Sequence, residues 1–349
     1  MKKINVLFNT TKSAGECPGG GIVLISKSKQ YLEREGIKVE LFEEGKTNLG
    51  DFDIFHNFSL HRNCLKPIMA AKKAGLHIAI SPIYWPSLAF VLHSGKPLHE
   101  RLKMIAAELS NTLPFSAVRK MLNAADVVLP SSLAEKEMLQ KRFSLPKEKI
   151  SIVYNGVDER FKGANSKLFE KKFQMRDFVL YVGKIEERKN VLSLIKAMKG
   201  IDAKLVVVGN ANEGNKVYLR KCRQGASGNV VFLSAMPHDS EMLASAYAAC
   251  KVFCLPSWYE TPGLAALEAG LAGANIVVTR EGPTKEYFSD MAAYVNPSNL
   301  KDIREKIVLQ LQKPKTGALS SHIQKNFLWQ NTAEQTKEAY EKVLKGAAV

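Results

Sequence analysis

No stretch of this 349-residue sequence approaches 18 uninterrupted apolar residues, so no membrane-spanning helix is expected. Cysteine is scarce. Cys17, Cys64, Cys222, Cys250 and Cys254 form an odd, scattered set of five without a C-x-x-C pair. Such a set argues against a disulfide frame or a zinc site and suits reduced thiols in a cytoplasm. Cys250 and Cys254 flank a strand-like segment and read as core residues rather than ligands. The third glycine of a G-x-G-x-x-G dinucleotide fingerprint is missing. Low-complexity linkers, short internal repeats, zinc-finger spacings and aromatic RNA-binding motifs are absent as well. At the N-terminus, MKKINVLFNTTKSAGE holds an apolar run too brief for the core of a signal peptide. That run leads into a glycine-rich loop and reads as a first strand. The expected location is the cytoplasm.

What is present is ordinary in bulk: 46% hydrophobic and 24% charged residues, as in a globular enzyme, with length enough for two domains. The net charge of +16 is unusual. Residues 1–158 hold 22 Lys/Arg and 15 Asp/Glu, or +7, which leaves 28 and 19, or +9, for the remainder. An excess spread over both halves suits an anionic substrate, an anionic membrane surface or nucleic acid. With no nucleic-acid motif beside it, no nucleic-acid partner is expected.

Apolar runs alternate with amphipathic stretches from end to end. Strands are predicted at Ile4–Asn9, Lys38–Phe42, Ile54–Asn57, His77–Ser81, Val127–Pro130 and Ile150–Tyr154. The second half repeats the rhythm at Phe178–Gly183, Lys204–Gly209, Val230–Leu233, Val252–Pro256, Asn275–Thr279 and Ala292–Val295. Helical patterns lie between, at Val23–Glu35, Leu65–Ala74, Glu100–Ala124 (broken near Pro114), Leu133–Phe143, Asn190–Lys199 and Ser240–Ala249. Strand–helix alternation implies α/β architecture, with parallel sheets covered by helices on both faces. A crossover near residues 158–176 divides the chain into two Rossmann-like domains facing across a cleft. The predicted division is 1–160, 161–325 and a closing helical segment, 326–349.

Residues 255–288, LPSWYETPGLAALEAGLAGANIVVTREGPTKEYF, carry the most chemistry. Thr261-Pro262-Gly263 reads as a helix start, with Thr261 as N-cap and Pro262 at the first helical position. Glu260 then lies just ahead of the helix and Glu268 nearly two turns inside it, on the face of Leu264. The free N–H groups of Gly263, Leu264 and Ala265 make the kind of helix start where phosphate binds. A carboxylate before those amides and another behind them outline a nucleotide-sugar site. Two solvated glutamates on an ordinary helix are the alternative.

Glu260, seven residues and Glu268, set in P-S-x-Y-E and L-E-A-x-x-A-G, resemble the paired-glutamate signature of retaining GT-B glycosyltransferases, family four (glycosyl transferases group one). The resemblance implies the GT-B fold, with the last helix returning to the N-terminal domain. It also implies that Glu260 contacts the donor sugar, Glu268 the ribose, and the central amides the diphosphate. Thr261 and Pro262 stand where Gly and Phe are common in the family, while Gly263 and Leu264 keep their places. The implied activity is metal-independent, retaining transfer of a hexosyl or related sugar from a UDP- or GDP-linked donor to a carbohydrate or lipid-linked hydroxyl. Polysaccharide or glycolipid synthesis is the implied setting, and no cofactor or metal is expected. A catalytically degenerate homologue that binds sugar nucleotide or a partner is the alternative.

Other segments fit the same resemblance. Gly183-Lys184-Ile185-Glu186-Glu187-Arg188-Lys189-Asn190 follows a strand and is similar to the family's G-R-x-x-x-x-K element, whose two cations clasp the diphosphate. Lys189 matches and Lys184 replaces the usual Arg, keeping the charge but losing a planar fork that Arg188 could supply in part. Pro18-Gly19-Gly20-Gly21 resembles the first glycine loop, with Gly20 and Gly21 the candidate donor contacts. Gly209-Asn210 resembles a nucleotide-proximal turn, and Ala235, in Ser234–Pro237, the base-binding stretch. Asn155-Gly156-Val157-Asp158 matches the interdomain exit and reads as structural. Glu286 matches a recurrent glutamate that serves equally well as a cap.

Asp51-Phe52-Asp53 is the one Asp-x-Asp pair a metal-dependent enzyme could use, but Asp53 runs straight into strand Ile54–Asn57, so the metal reading yields. The family's acceptor-side histidine is missing from Ser81–Pro86, and His93 and His99 come later. The cationic, amphipathic Glu100–Ala124 packs on the sheet or meets a membrane surface. A peripheral contact at the inner membrane face is a further expectation.

Overall fold

The computed structural model describes residues 3–10, 20–93, 95, 97–109 and 113–346. Cys17 and Pro18-Gly19 lie outside them. The chain divides into two units: residues 1–86, 102–156 and 329–349, and residues 87–101 and 157–328.

The first half alternates as its apolar runs dictate: β1 (Asn5–Asn9), α1 (Gly20–Arg34), β2 (Lys38–Leu41), β3 (Ile54–Phe58), α2 (Leu65–Lys73) and β4 (His77–Ser81). Then come α3 (Leu88–His93), α4 (Leu98–Leu109), α5 (Leu113–Ala124), β5 (Val127–Val128) and α6 (Leu133–Phe143). Among the described residues the first sheet has five parallel strands in the order β2-β1-β3-β4-β5. β3 is buried along its whole length, as a central parallel strand covered on both faces must be. Ser132 caps α6 by accepting from the Glu135 N–H at 3.0 Å. The Glu135 carboxylate in turn accepts from the N–H groups of Ser131 and Tyr84. From α5, Met121 and Leu122 are buried in the core, whereas Leu98 and Leu102 on α4 stand exposed.

One sequence expectation needs correcting here, and one helix was not expected. Ile150–Tyr154 forms no strand, only a single bridge from Ile150 to Val128. Ser151 and Val153 donate to the carbonyls of Val128 and Pro130, but Pro130 has no N–H with which to extend the ladder. The Tyr154 backbone bonds Gln335 and Thr332 instead. Helix α3 had no sequence signal of its own; Ser87 starts it by accepting from the Phe90 N–H.

The second half supplies α7 (Lys167–Phe173), β6 (Val179–Val182), α8 (Val191–Ala197), β7 (Leu205–Val208), α9 (Lys216–Gln224) and β8 (Val230–Leu233). It continues through α10 (Glu241–Ala249), β9 (Val252–Leu255), α11 (Leu264–Leu271), β10 (Asn275–Thr279), α12 (Thr284–Phe288) and β11 (Ala293–Val295). Helices α13 (Leu300–Gln312), α14 (Ala318–Asn326) and α15 (Trp329–Leu344) close the chain. The second sheet has six parallel strands among the described residues, ordered β11-β10-β9-β6-β7-β8. β7 and β9 are buried at every position, and each such aliphatic side chain contributes about 1.5–3 kcal/mol. Cys64, Cys222, Cys250 and Cys254 are buried free thiols. Burial pushes Cys222 up to about 11 and Cys250 up to about 12, so neither is a ready thiolate.

Helix α15 returns to the first sheet, as anticipated. Gln330 and Lys337 both bond Glu35 beyond the end of α1, and Tyr340 reaches His56 on β3 at 2.6 Å. His56 also meets the Ser81 hydroxyl at 2.9 Å, so a neutral imidazole, one donor and one acceptor, is satisfied between two hydroxyls. Burial lowers this imidazole from 6.5 to about 3. The unfolded chain therefore takes up a proton below pH 6.5 that the native state refuses. The stability involved is complete above 6.5 and is lost as pH falls toward 3. Chemical denaturation between pH 7.5 and 5 should show wild-type stability falling more steeply than that of His56→Gln. The difference should reach about 1.4 kcal/mol per pH unit at the steepest point; equal slopes would contradict the assignment.

Candidate functional site

In the second sheet, the first strand of the unit, β6, has β7 on one side and β9 on the other. The connections after β6 and β9 diverge from this switch point, and ligands of open α/β sheets bind at the carboxyl ends of strands there. Most residues singled out in the sequence for this unit fall on that edge, in the loops after β6, β7, β8 and β9 and in helix α11.

After β6 the chain turns through Glu187–Lys189 into α8. Asn190 ends the turn, and its buried amide donates to the carbonyls of Pro256 and Pro297, fixing this loop to the β9 loop. Trp258 N–H donates to the Arg188 carbonyl across the same gap. Lys189 Nζ is thereby brought 2.6 Å from Glu260 Oε1, and Glu260 is only 4% exposed. Burial opposes the charge on Glu260, but Lys189 and Arg188 outweigh it and hold the carboxyl below the usual carboxylate range. The Lys189 ammonium is pulled below the ordinary lysine value by burial, with Glu260 working against that. The Arg188 guanidinium, which could supply part of a fork for the diphosphate, bonds Glu186 and the Tyr259 carbonyl and lies over the Tyr259 ring. Lys184 is half-buried, and its ammonium makes no ion pair among the described residues.

Glycine sets two close approaches on this edge. A Cβ on Gly209 would lie 1.9 Å from the Gly183 carbonyl oxygen, so the β6 and β7 loops meet only because none is there. Gly282, at φ +108°, packs its Cα against the Glu260 backbone, where a Cβ would come within 2.1 Å of the carbonyl. Glu260 N–H donates to the neighbouring Glu281 carbonyl at 3.2 Å. Asn210 Oδ1 accepts from the Ala235 N–H, which joins the β7 and β8 loops.

The helix after Glu260 starts later than expected. Gly263, not Thr261, is the N-cap, and its φ of +94° keeps Pro262 from being a first helical residue. Leu264 and Ala265 are the opening residues of α11, where N–H groups have no acceptor within a helix. The Glu260 side chain lies at this opening, with Oε2 about 3.5 Å from where a Gly263 Cβ would be. Glu268 is buried in the second turn. Its Oε1 meets His238 Nε2 at 2.9 Å and its Oε2 accepts from the Tyr247 hydroxyl at 2.7 Å. Neither partner was foreseen: His238 stands one residue past Ser234–Pro237, and Tyr247 on α10 has no motif around it.

The structure thus gathers Lys189, Glu260, Gly263, Leu264 and Ala265 around one point, with Glu268, Gly209 and Ala235 on the same sheet edge. Gly20 and Gly21 open α1 on the first unit, after β1. Asp53 receives the Asn5 N–H at 2.9 Å ahead of β3, at the opposite end of its strand from a ligand-binding edge. Val157 pairs with Leu328, where the chain enters and leaves the second unit. Glu286 lies in the first turn of α12. His93 stacks on Trp258, with ring centroids 4.7 Å apart, and Phe90 meets Tyr259 edge-on, so α3 covers the β9 loop from outside.

Residues 165–326 match the model for glycosyl transferases group 1, and residues 51–161 that for glycosyltransferase family 4. The chain belongs to the group 1 glycosyltransferases. Among its relatives, an uncharacterized glycosyltransferase of Methanocaldococcus jannaschii is 28% identical over 242 residues, 61% of this chain and 59% of the relative. Matched stretches span about half to three fifths of the lengths of such curated relatives. In fold, sucrose-phosphate synthase from Thermosynechococcus elongatus superposes with a TM-score of 0.78 at 16% identity, covering 99% of this chain and 100% of that one. Anabaena HepE in complex with UDP gives 0.71 at 17% identity, covering 97% and 100%. Both likenesses are of the GT-B fold.

Removing one partner of a buried ion pair leaves the other charge stranded, at a cost of about 3–5 kcal/mol. Lys189→Met should lose stability on that scale in chemical denaturation, and Lys189→Met with Glu260→Leu should recover much of it. Equal losses in the single and double variants would show that the pair is not buried as described.

Proposed function

We propose that this chain is a retaining glycosyltransferase that takes a nucleoside diphosphate sugar as donor and a hydroxyl group as acceptor. The observation that carries this reading is the Lys189–Glu260 pair at the β6/β9 switch point, beside the opening amides of α11. An ammonium has three donors, and Glu260 takes one of them, leaving others for phosphate oxygens. Lys184 adds a second cation, and the amides of Gly263, Leu264 and Ala265 a third set of donors. Glu260 orients the sugar and Glu268 holds the ribose hydroxyls.

In the reaction, the bond between the anomeric carbon and the diphosphate oxygen breaks. The acceptor oxygen bonds that carbon on the same face, and its proton passes to the departing phosphate oxygen. Charge grows on the leaving diphosphate, and fixed cations and amides stabilise it with no metal ion required. Family kinship supports polysaccharide or glycolipid synthesis as the setting. For a lipid-linked acceptor we add a peripheral membrane contact, on the strength of exposed Leu98 and Leu102 beside Lys103. The complex of HepE with UDP puts a uridine donor first among those to test, with GDP-linked donors next.

A thermal-shift screen over UDP-, GDP- and ADP-sugars, each with and without EDTA, tests the donor class. A true donor at 100 times its dissociation constant should add about 2.7 kcal/mol of stability, unaffected by EDTA. Glu268→Ala should abolish most of that gain and of the transfer activity. Donor affinity and transfer both unchanged in Glu268→Ala would defeat the reading, as would a shift seen only with metal.

A further inference from the structure

Glu268 is not free to turn toward a ligand. A carboxylate offers about four acceptor positions, and in Glu268 one on each oxygen is already taken from within the chain. The two donors differ in kind. Tyr247 is buried on α10, and burial, with the Glu268 charge beside it, keeps its hydroxyl protonated. His238 stands on the loop between β8 and α10, immediately after Ser234–Pro237, and its side chain is 22% exposed.

The surroundings of His238 fix both its ring and its backbone. Its carbonyl accepts from the Arg160 guanidinium, which lies 4.2 Å over the Phe161 ring. Phe161 meets the His238 ring edge-on at 5.8 Å and the Tyr247 ring edge-on at 5.5 Å. Two residues on, Ser240 accepts from the Leu243 N–H and starts α10. The loop is therefore held at both ends: Asn210 receives the Ala235 N–H at one, and Glu268 meets His238 at the other.

We propose that His238 is a positioning residue that locks the base-binding loop to the ribose-holding carboxylate, so that the nucleoside of the donor is recognised by one rigid unit. This rests on the reading of Glu268 given above. The Nε2–H of His238 aims one Glu268 oxygen while Tyr247 aims the other, and the remaining lone pairs of the carboxylate face the ribose hydroxyls. Because His238 shares a loop with Ala235, any shift of the ring moves the base contacts together with the ribose contacts. The residue acts through Glu268 rather than by touching the sugar that is transferred.

The test is calorimetric binding of UDP, GDP and ADP to wild type, His238→Phe, His238→Gln, Glu268→Gln and the His238→Phe/Glu268→Gln double variant. Melting temperatures confirm that each is folded. His238→Phe keeps a ring against Phe161 but has no donor, and should weaken the best-bound nucleotide at least tenfold. His238→Gln restores an N–H near the Nε2 position and should recover most of that loss. In the Glu268→Gln background, His238→Phe should add less than twofold, because the two act as a unit. Losses that multiply in the double variant would overturn the proposal. So would His238→Gln binding no better than His238→Phe, or His238→Phe binding within twofold of wild type while Glu268→Gln binds weakly. If Glu268→Gln itself binds as wild type does, or wild type binds none of the three nucleotides, the ribose reading falls and this proposal falls with it.

Discussion

The second unit depends on a lysine and a glutamate that cannot leave each other. Lys189 and Glu260 come from loops 71 residues apart in sequence, after the two strands that flank the switch point. The Glu260 side chain is 4% exposed and that of Lys189 16%, so losing either partner leaves a poorly solvated charge behind. Their pairing fixes the β6 loop against the β9 loop, and the surrounding contacts repeat that constraint. Asn190 ties the first loop to Pro256, Trp258 ties the second to Arg188, and Gly282 lets a third loop close on the Glu260 backbone. Loops joined by several independent contacts hold their polar groups in fixed relative positions, and in the reaction we propose such donors need not reorganise as charge develops on the leaving group.

The same edge carries two kinds of polar group with different duties. Arg188, Asn190 and Tyr181 spend their hydrogen bonds on neighbouring backbone carbonyls, and so hold the loops in place. Among the described residues, Lys184 makes no ion pair and Glu260 takes one of the three Lys189 donors. Structural cations and those we propose for the diphosphate are thus interleaved within six residues, Lys184 to Lys189.

Much of this was legible in the sequence. Alternating apolar runs located every strand of the second sheet to within about a residue, because buried parallel strands leave no room for polar interruption. The glutamate spacing and the final helix of the fold were legible for similar reasons: each is a local pattern. What escaped depends on distance or on exact backbone conformation. The left-handed Gly263 moved the start of α11 by more than one residue, although Gly263 itself had been marked. The partners of Arg188, Glu186 and the Tyr259 carbonyl, are defined only by folding. The Ile150–Tyr154 run has the composition of a strand but lies beside Pro130, which cannot return its hydrogen bonds. His238 and Tyr247 meet Glu268 from separate elements, and no local pattern announces such a meeting.

The most direct measurement is a crystal structure of the protein with a nucleoside diphosphate sugar that stabilises it. The diphosphate should lie at the opening of α11, within hydrogen-bonding distance of Lys184, Lys189 and the Leu264 and Ala265 amides, with the ribose hydroxyls on Glu268. A diphosphate bound elsewhere, with the Lys189–Glu260 pair left untouched, would contradict the assignment.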